Sequence, residues 1–95
     1  MQTYFMFGKY SKEALKNISS DRTRKAFNMI QEHGGRVKSA YALLGDQDLV
    51  FIVNLPDAAS ATMISIKLAN MTGIAFTTSQ AISVEDFDKQ FNHKK

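Results

Sequence analysis

Val37-Lys38-Ser39-Ala40-Tyr41-Ala42-Leu43-Leu44, then Gly45-Asp46-Gln47-Asp48, then Leu49-Val50-Phe51-Ile52-Val53-Asn54-Leu55 is the stretch that decides the fold. The last seven residues are rich in Val, Ile and Phe, the composition of a strand, and the first eight read as another. The four residues between them have turn chemistry and are few enough for a hairpin. Residues 37–44 and 49–55 are therefore expected to be antiparallel neighbours.

Upstream, Gly34-Gly35 separates this hairpin from a helical pattern in which Ala26, Phe27, Ile30 and His33 recur on one side. Arg22, Arg24, Lys25 and Glu32 are assigned to the other side, giving an amphipathic helix that begins near Asp21. Ser19 or Ser20 can cap it, and Ser11 can cap a short turn running to Lys16. Before that, the aromatic-rich run Thr3-Tyr4-Phe5-Met6-Phe7 reads as a first strand ended by Gly8. Downstream, Pro56-Asp57 stops the hairpin and starts a helix with Ala58, Ala61, Ile64, Leu68 and Met71 as its inward stripe and Gly73 as its end. Residues 74–82 form a last strand with a polar middle. Ser83-Val84-Glu85 then opens a short helix carrying Val84, Phe87 and Phe91, and Asn92-His93-Lys94-Lys95 is expected to fray.

The order β-α-β-β-α-β plus a small C-terminal helix is the ferredoxin-like arrangement, an α+β class with two helices on one face of a four-stranded antiparallel sheet. The 95 residues form a single domain. The sheet's other face has no cover of its own, yet both parities of two strands are large: Phe5 and Phe7 alternate with Tyr4 and Met6, and Phe51 and Val53 with Val50 and Ile52. So much apolar surface calls for a partner, and a homodimer joined through the open sheet face, a dimeric α/β barrel, is expected.

Read in order, Tyr4, Arg22, Ala26, Gly35, Val37, Tyr41, Leu44-Gly45, Asp48, Pro56-Asp57-Ala58, Gly73, a threonine-rich strand ending in Ala81, and Glu85-Asp86-Phe87 make the chain resemble the GYD-domain family. That family takes its name from a Gly and a Tyr-Asp pair at the hairpin. Here Gly45 and Asp48 match, while Gln47 stands where tyrosine is usual. The resemblance implies the ferredoxin-like fold and a dimer of the α/β-barrel group, and it brings no settled activity with it.

Composition removes several chemistries. No cysteine is present, which excludes disulfides, thiol nucleophiles, thiolate zinc and iron-sulfur clusters. His33 and His93 are far apart in sequence, and Asp46 and Asp48 lack the oxygen-rich loop of a calcium site, so neither a metal nor a cofactor is expected. No export signal or membrane-spanning run is read, and a cytoplasmic location is expected. Charge is uneven: residues 1–40 carry eight Lys and Arg against three acids, and residues 41–88 carry one against six. The basic first half opens a nucleic-acid reading. Val50-Phe51-Ile52-Val53-Asn54-Leu55 also fits a short RNA-recognition hexamer, but it falls on the third strand, and residues 74–82 offer only Phe76 as a second stacking platform. Nucleic acid is thus the least favoured partner.

What remains is binding without catalysis, either of a small apolar or aromatic ligand in an apolar interior, with Tyr4 and Asn54 as ligand-binding residues, or of a partner protein. The alternative is a cofactor-free oxygenase, isomerase or decarboxylase of the dimeric α/β-barrel type. In it His33, Tyr41 and Asp48 would be catalytic, a His with a carboxylate nearby serving as general base. That second reading rests on fold analogy.

Overall fold

Four side-chain oxygens set where the helices start. Ser11 accepts from the Ala14 amide (3.0 Å), Ser19 from Arg22 (3.0 Å), Asp57 from Ser60 (2.8 Å) and Ser83 from Asp86 (3.0 Å). Each satisfies one of the amides that a helix leaves unpaired at its N-terminus. In the computed structural model, which describes residues 1–91, these caps precede α1 (Lys12–Lys16), α2 (Ser20–Glu32), α3 (Ala58–Thr72) and α4 (Val84–Lys89). The strands are β1 (Gln2–Tyr10), β2 (Arg36–Ala42), β3 (Leu49–Leu55) and β4 (Ile74–Ala81). The expected fraying of Asn92-His93-Lys94-Lys95 lies outside the described residues.

All strand pairs are antiparallel, in the order β2-β3-β1-β4, which is the ferredoxin-like topology read from the sequence. The hairpin pairs β2 with β3 from Ala42↔Leu49 to Arg36↔Asn54, with an irregularity between Val37 and Ser39. The smallest dimension of the molecule is 18 Å, the thickness of one sheet and one helix layer.

Several boundaries differ from the expected ones. Gly8 does not end the first strand but sits inside it, buried, where an added Cβ would lie 2.9 Å from Ile74 and 3.0 Å from Leu49. It allows close packing and does not break the strand. β2 ends at Ala42 and leaves Leu43 and Leu44 in the loop, because the Leu43 amide already closes the turn on the Asp48 carbonyl at 2.9 Å. β4 stops one residue before Ile82.

The core lies between the helices and one sheet face. Met6, Val53 and Leu55 from the sheet meet Ile30 of α2 and Ile64 and Leu68 of α3, and none of the six retains solvent contact. Ala61 and Thr72 complete the α3 stripe, while Ala58 and Met71, expected in it, are exposed. Thr72 takes the inward place because its hydroxyl donates to the Leu68 carbonyl and accepts from the Ile74 amide, so burial leaves no polar atom unpaired. Gly73, left-handed at φ 76°, closes the helix.

Candidate functional site

Strand register sorts every β residue onto one of two faces. Tyr4, Met6, Phe51, Val53 and Ile74 point to the helices. Thr3, Phe5 and Phe7 of β1 point away from them, in rows with Asn54, Ile52 and Val50 of β3. The rows extend to Ala81, Ser79 and Thr77 on β4 and to Arg36, Ser39 and Tyr41 on β2. The centre of this open face is therefore apolar: Phe5 and Phe7 sit 6.2 Å apart by ring centroid, beside Ile52 and Val50. β4 contributes only short Thr, Ser and Ala side chains on this side, which leaves a depression along the Phe5 row.

A cavity of about 540 Å³ occupies that depression, between the sheet and the start of α4. Phe5 and Ile52 form its apolar floor, and Lys38, Gln80, Ser83 and Asp86 bring polar groups to its edge. A few polar groups around an apolar floor fix a ligand's orientation while burial supplies affinity. α4 has no buried residue: Phe87 and Phe91 pack against each other with tilted rings, centroids 5.1 Å apart, and remain exposed, as do Val84 and Ile82.

Of the residues singled out in the sequence, Tyr41 and Asn54 lie on the open face, Tyr41 opposite Val50 and Asn54 accepting from the Thr3 hydroxyl at 3.0 Å. Tyr4 lies on the helix-covered face, 3% exposed, and its hydroxyl donates to Gln2 at 2.7 Å. It borders a groove beside α3 with Thr62, Ser65 and Thr78. Asp48 ties the hairpin to β1: its carboxylate accepts from the Tyr10 amide at 2.8 Å, and its own amide donates to the Gly8 carbonyl at 2.9 Å. Gln47, at the family's tyrosine position, is in the same loop with its amide 3.5 Å from the Asp46 carboxylate.

His33 is the C-cap of α2, and its Nε2 stands 3.4 Å from Lys67 Nζ. Gly35, two residues on, packs against Leu55 at the far end of β3, whereas Asp48 immediately precedes Leu49 at the near end. Six residues of strand rise put about 20 Å between those ends. Within one chain the structure does not bring His33 to Tyr41 or Asp48.

Sequence spacing missed Lys38, Gln80 and Asp86, which meet at the cavity edge only in the folded chain. It also assigned Arg22 to the outer side of α2, whereas Arg22 is half-buried in line with Ala26 and Ile30. The signal was present as a repeat of four residues, 22, 26 and 30. Arg24 and Lys25 both pair with Asp21, so α2 presents no continuous basic stripe. Phe76, the candidate second platform for bases, packs on the helix side against Phe51, with ring centroids 5.4 Å apart. Asp57, the α3 cap, has a displaced titration: the Ser60 amide holds its carboxyl below the ordinary 3.8. Among the described residues no cluster of His, Asp and Glu can hold a metal ion, and no helix is long and apolar enough to cross a membrane.

The GYD domain profile matches residues 4–90, and the chain belongs to that family. No curated protein sequence matches the chain. Among solved structures, the leucine response regulatory protein of Mycobacterium tuberculosis is similar with a TM-score of 0.63 at 13% identity, covering 86% of this chain and 51% of that one. The feast or famine regulatory protein of M. tuberculosis, solved in complex with L-methionine, gives 0.60 at 13% identity over 87% of this chain and 51% of its own. A protein of Thermus thermophilus gives 0.57 at 21% identity, over 87% of this chain and 95% of its own. The chain spans about half the length of the Mycobacterium regulators. At these identities the likeness establishes the fold.

Proposed function

We propose that this GYD-domain protein acts as a homodimer, two open sheet faces stacked into a dimeric α/β barrel, and that the shared interior holds a small apolar or aromatic ligand without catalysing a reaction on it. The observation that carries this reading is the cavity of about 540 Å³ on the open face, floored by Phe5 and Ile52. Its size falls within the roughly 300–1,000 Å³ of small-molecule sites. Four strands about 4.8 Å apart and about 25 Å long present roughly 500 Å² in projection. With side-chain relief, that approaches the roughly 800 Å² that each partner contributes to an ordinary stable interface. Asn54 and Tyr41 would then face the second subunit, and Lys38, Gln80 and Asp86 would orient the ligand.

One structural neighbour was solved with L-methionine, so amino acids with apolar side chains are the first ligands to test. The activities named for the longer regulators are not carried over by a match to half their length. A cytoplasmic location goes with this reading and is supported by the cysteine-free composition. The test is native mass spectrometry of the purified protein, followed by NMR titration with methionine, leucine and phenylalanine. A dimer carrying a ligand, or shifts confined to Phe5, Ile52 and their row, is the expected outcome. A ligand-free protein with no open-face response to any of the three would contradict it.

A further inference from the structure

We propose a second binding site, within each subunit and on the helix-covered face, that takes a small monocarboxylate with an apolar or aromatic body and holds its carboxylate on Arg22. The site is the cleft between the first turns of α2 and the hairpin end of the sheet. Its two adjoining parts, about 160 and 40 Å³, share Tyr10, Thr23, Leu49 and Phe51. Arg22 borders the smaller part, where a carboxylate would sit, and the larger, open part beside it has about the volume of a cavity that holds a benzene ring. Phe51 and Phe76, with ring centroids 5.4 Å apart, and Leu49 and Ile74 give it an apolar wall, Thr23 and Thr72 add hydroxyls, and Ala26 leaves space where a longer side chain would fill it.

Arg22 supplies the specificity. It is half-buried, its Nη1 donates to the Ala14 carbonyl at 2.6 Å, and its guanidinium lies 5.5 Å from the centre of the Tyr10 ring. That carbonyl occupies one of five N–H donors. The neighbouring cations are paired, Arg24 and Lys25 with Asp21 and Lys9 with Asp46, while Arg22 has no carboxylate partner among the described residues. A partly desolvated guanidinium without a counter-ion is an unfavourable arrangement in an isolated protein and a favourable one around a bound anion. Its planar fork matches a carboxylate in a bidentate pair. Arg22 also stands in the first turn of α2, where the helix dipole favours negative charge. The Tyr10 hydroxyl, which has no partner among the described residues, adds a second polar group at the cleft. A single unpaired cation among apolar walls fits a monocarboxylate better than a phosphate.

The test is a heteronuclear NMR titration of the full chain with phenylacetate, with phenylacetamide as the uncharged control. Phenylacetate is expected to shift Thr23, Phe51 and Phe76 and to leave Phe5 and Ile52 of the open face unmoved. Phenylacetamide, or phenylacetate on Arg22→Gln, is expected to bind about tenfold more weakly or worse, as loss of a charge-assisted hydrogen bond requires. Arg22→Lys should fall between. Should Arg22→Gln fail to fold, Thr23→Phe fills the cleft from an exposed helical position while keeping the guanidinium, and it must abolish the response. No shift in the cleft, shifts only on the open face, or equal binding of acid and amide each overturns the proposal. Open-face shifts would leave the dimer-interior reading standing, so the two readings fail separately.

Discussion

The two faces of the sheet are built from the same kinds of residue, and often from neighbours on one strand. On β3, Val53 and Leu55 have no solvent contact because α2 and α3 of the same chain cover them, while Ile52, between Phe51 and Val53, is only half-covered. On β1, Met6 is sealed and its neighbours Phe5 and Phe7 are not. Hydrophobicity thus states that a residue wants cover, and topology states who provides it. One face is completed within the chain, and the other is left open, where a second copy is proposed to cover it.

Substitutions on the helix-covered face should damage the folded chain itself. Leu68→Ala removes a fully buried side chain of α3, and large-to-small changes at such sites cost about 2–5 kcal/mol. In a domain of this size it should lower the Tm by more than about 10 °C in a calorimetric scan. Gly35→Ala comes next, since its Cβ would meet Leu55 at 2.6 Å and Ile30 at 2.8 Å, and overpacking of this kind costs about 1–3 kcal/mol. A denaturant midpoint unchanged by either substitution would break the comparison.

Asp48→Ala removes the hydrogen bond that ties the hairpin to the Tyr10 amide, and a loss of about 0.5–1.5 kcal/mol is expected in urea unfolding. If Asp48 acts through catalysis instead, its replacement should leave stability unchanged. The smallest effect is pH-dependent. Because folding lowers the pKa of Asp57, its stabilising contribution is fully present above the ordinary value of 3.8 and is lost as pH falls through the lowered one. Asp57→Asn should flatten that part of the acid unfolding curve, and an unaltered curve would remove the cap from the account.

The sequence was most legible where local chemistry decides the structure. Ser11, Ser19, Asp57 and Ser83 mark helix starts, and Leu49 to Leu55 is one strand at its read boundaries, because a cap or a β-branched run needs no distant partner. Gly8 was misread as a breaker because its reason is the approach of Ile74 and Leu49, residues more than forty positions away. Arg22 was read as an outer residue on charge alone, although its spacing to Ala26 and Ile30 placed it inward. The site was the least legible part. His33, Tyr41 and Asp48 lie within sixteen positions in the sequence, yet β3 separates His33 from the others by most of its length. Lys38, Gln80 and Asp86 carry no motif and come from β2, β4 and α4 to one cavity edge only in the folded chain.

The contrast between the two faces is tested most directly by light scattering on the wild-type chain and on Ile52→Lys, which puts a charge at the centre of the open face without touching the helix-covered core. Twice the 10.6 kDa chain mass is expected for the wild type at micromolar concentration, and a folded single chain with native circular dichroism for the variant. A wild-type mass of one chain, or an Ile52→Lys protein that remains dimeric, would contradict it.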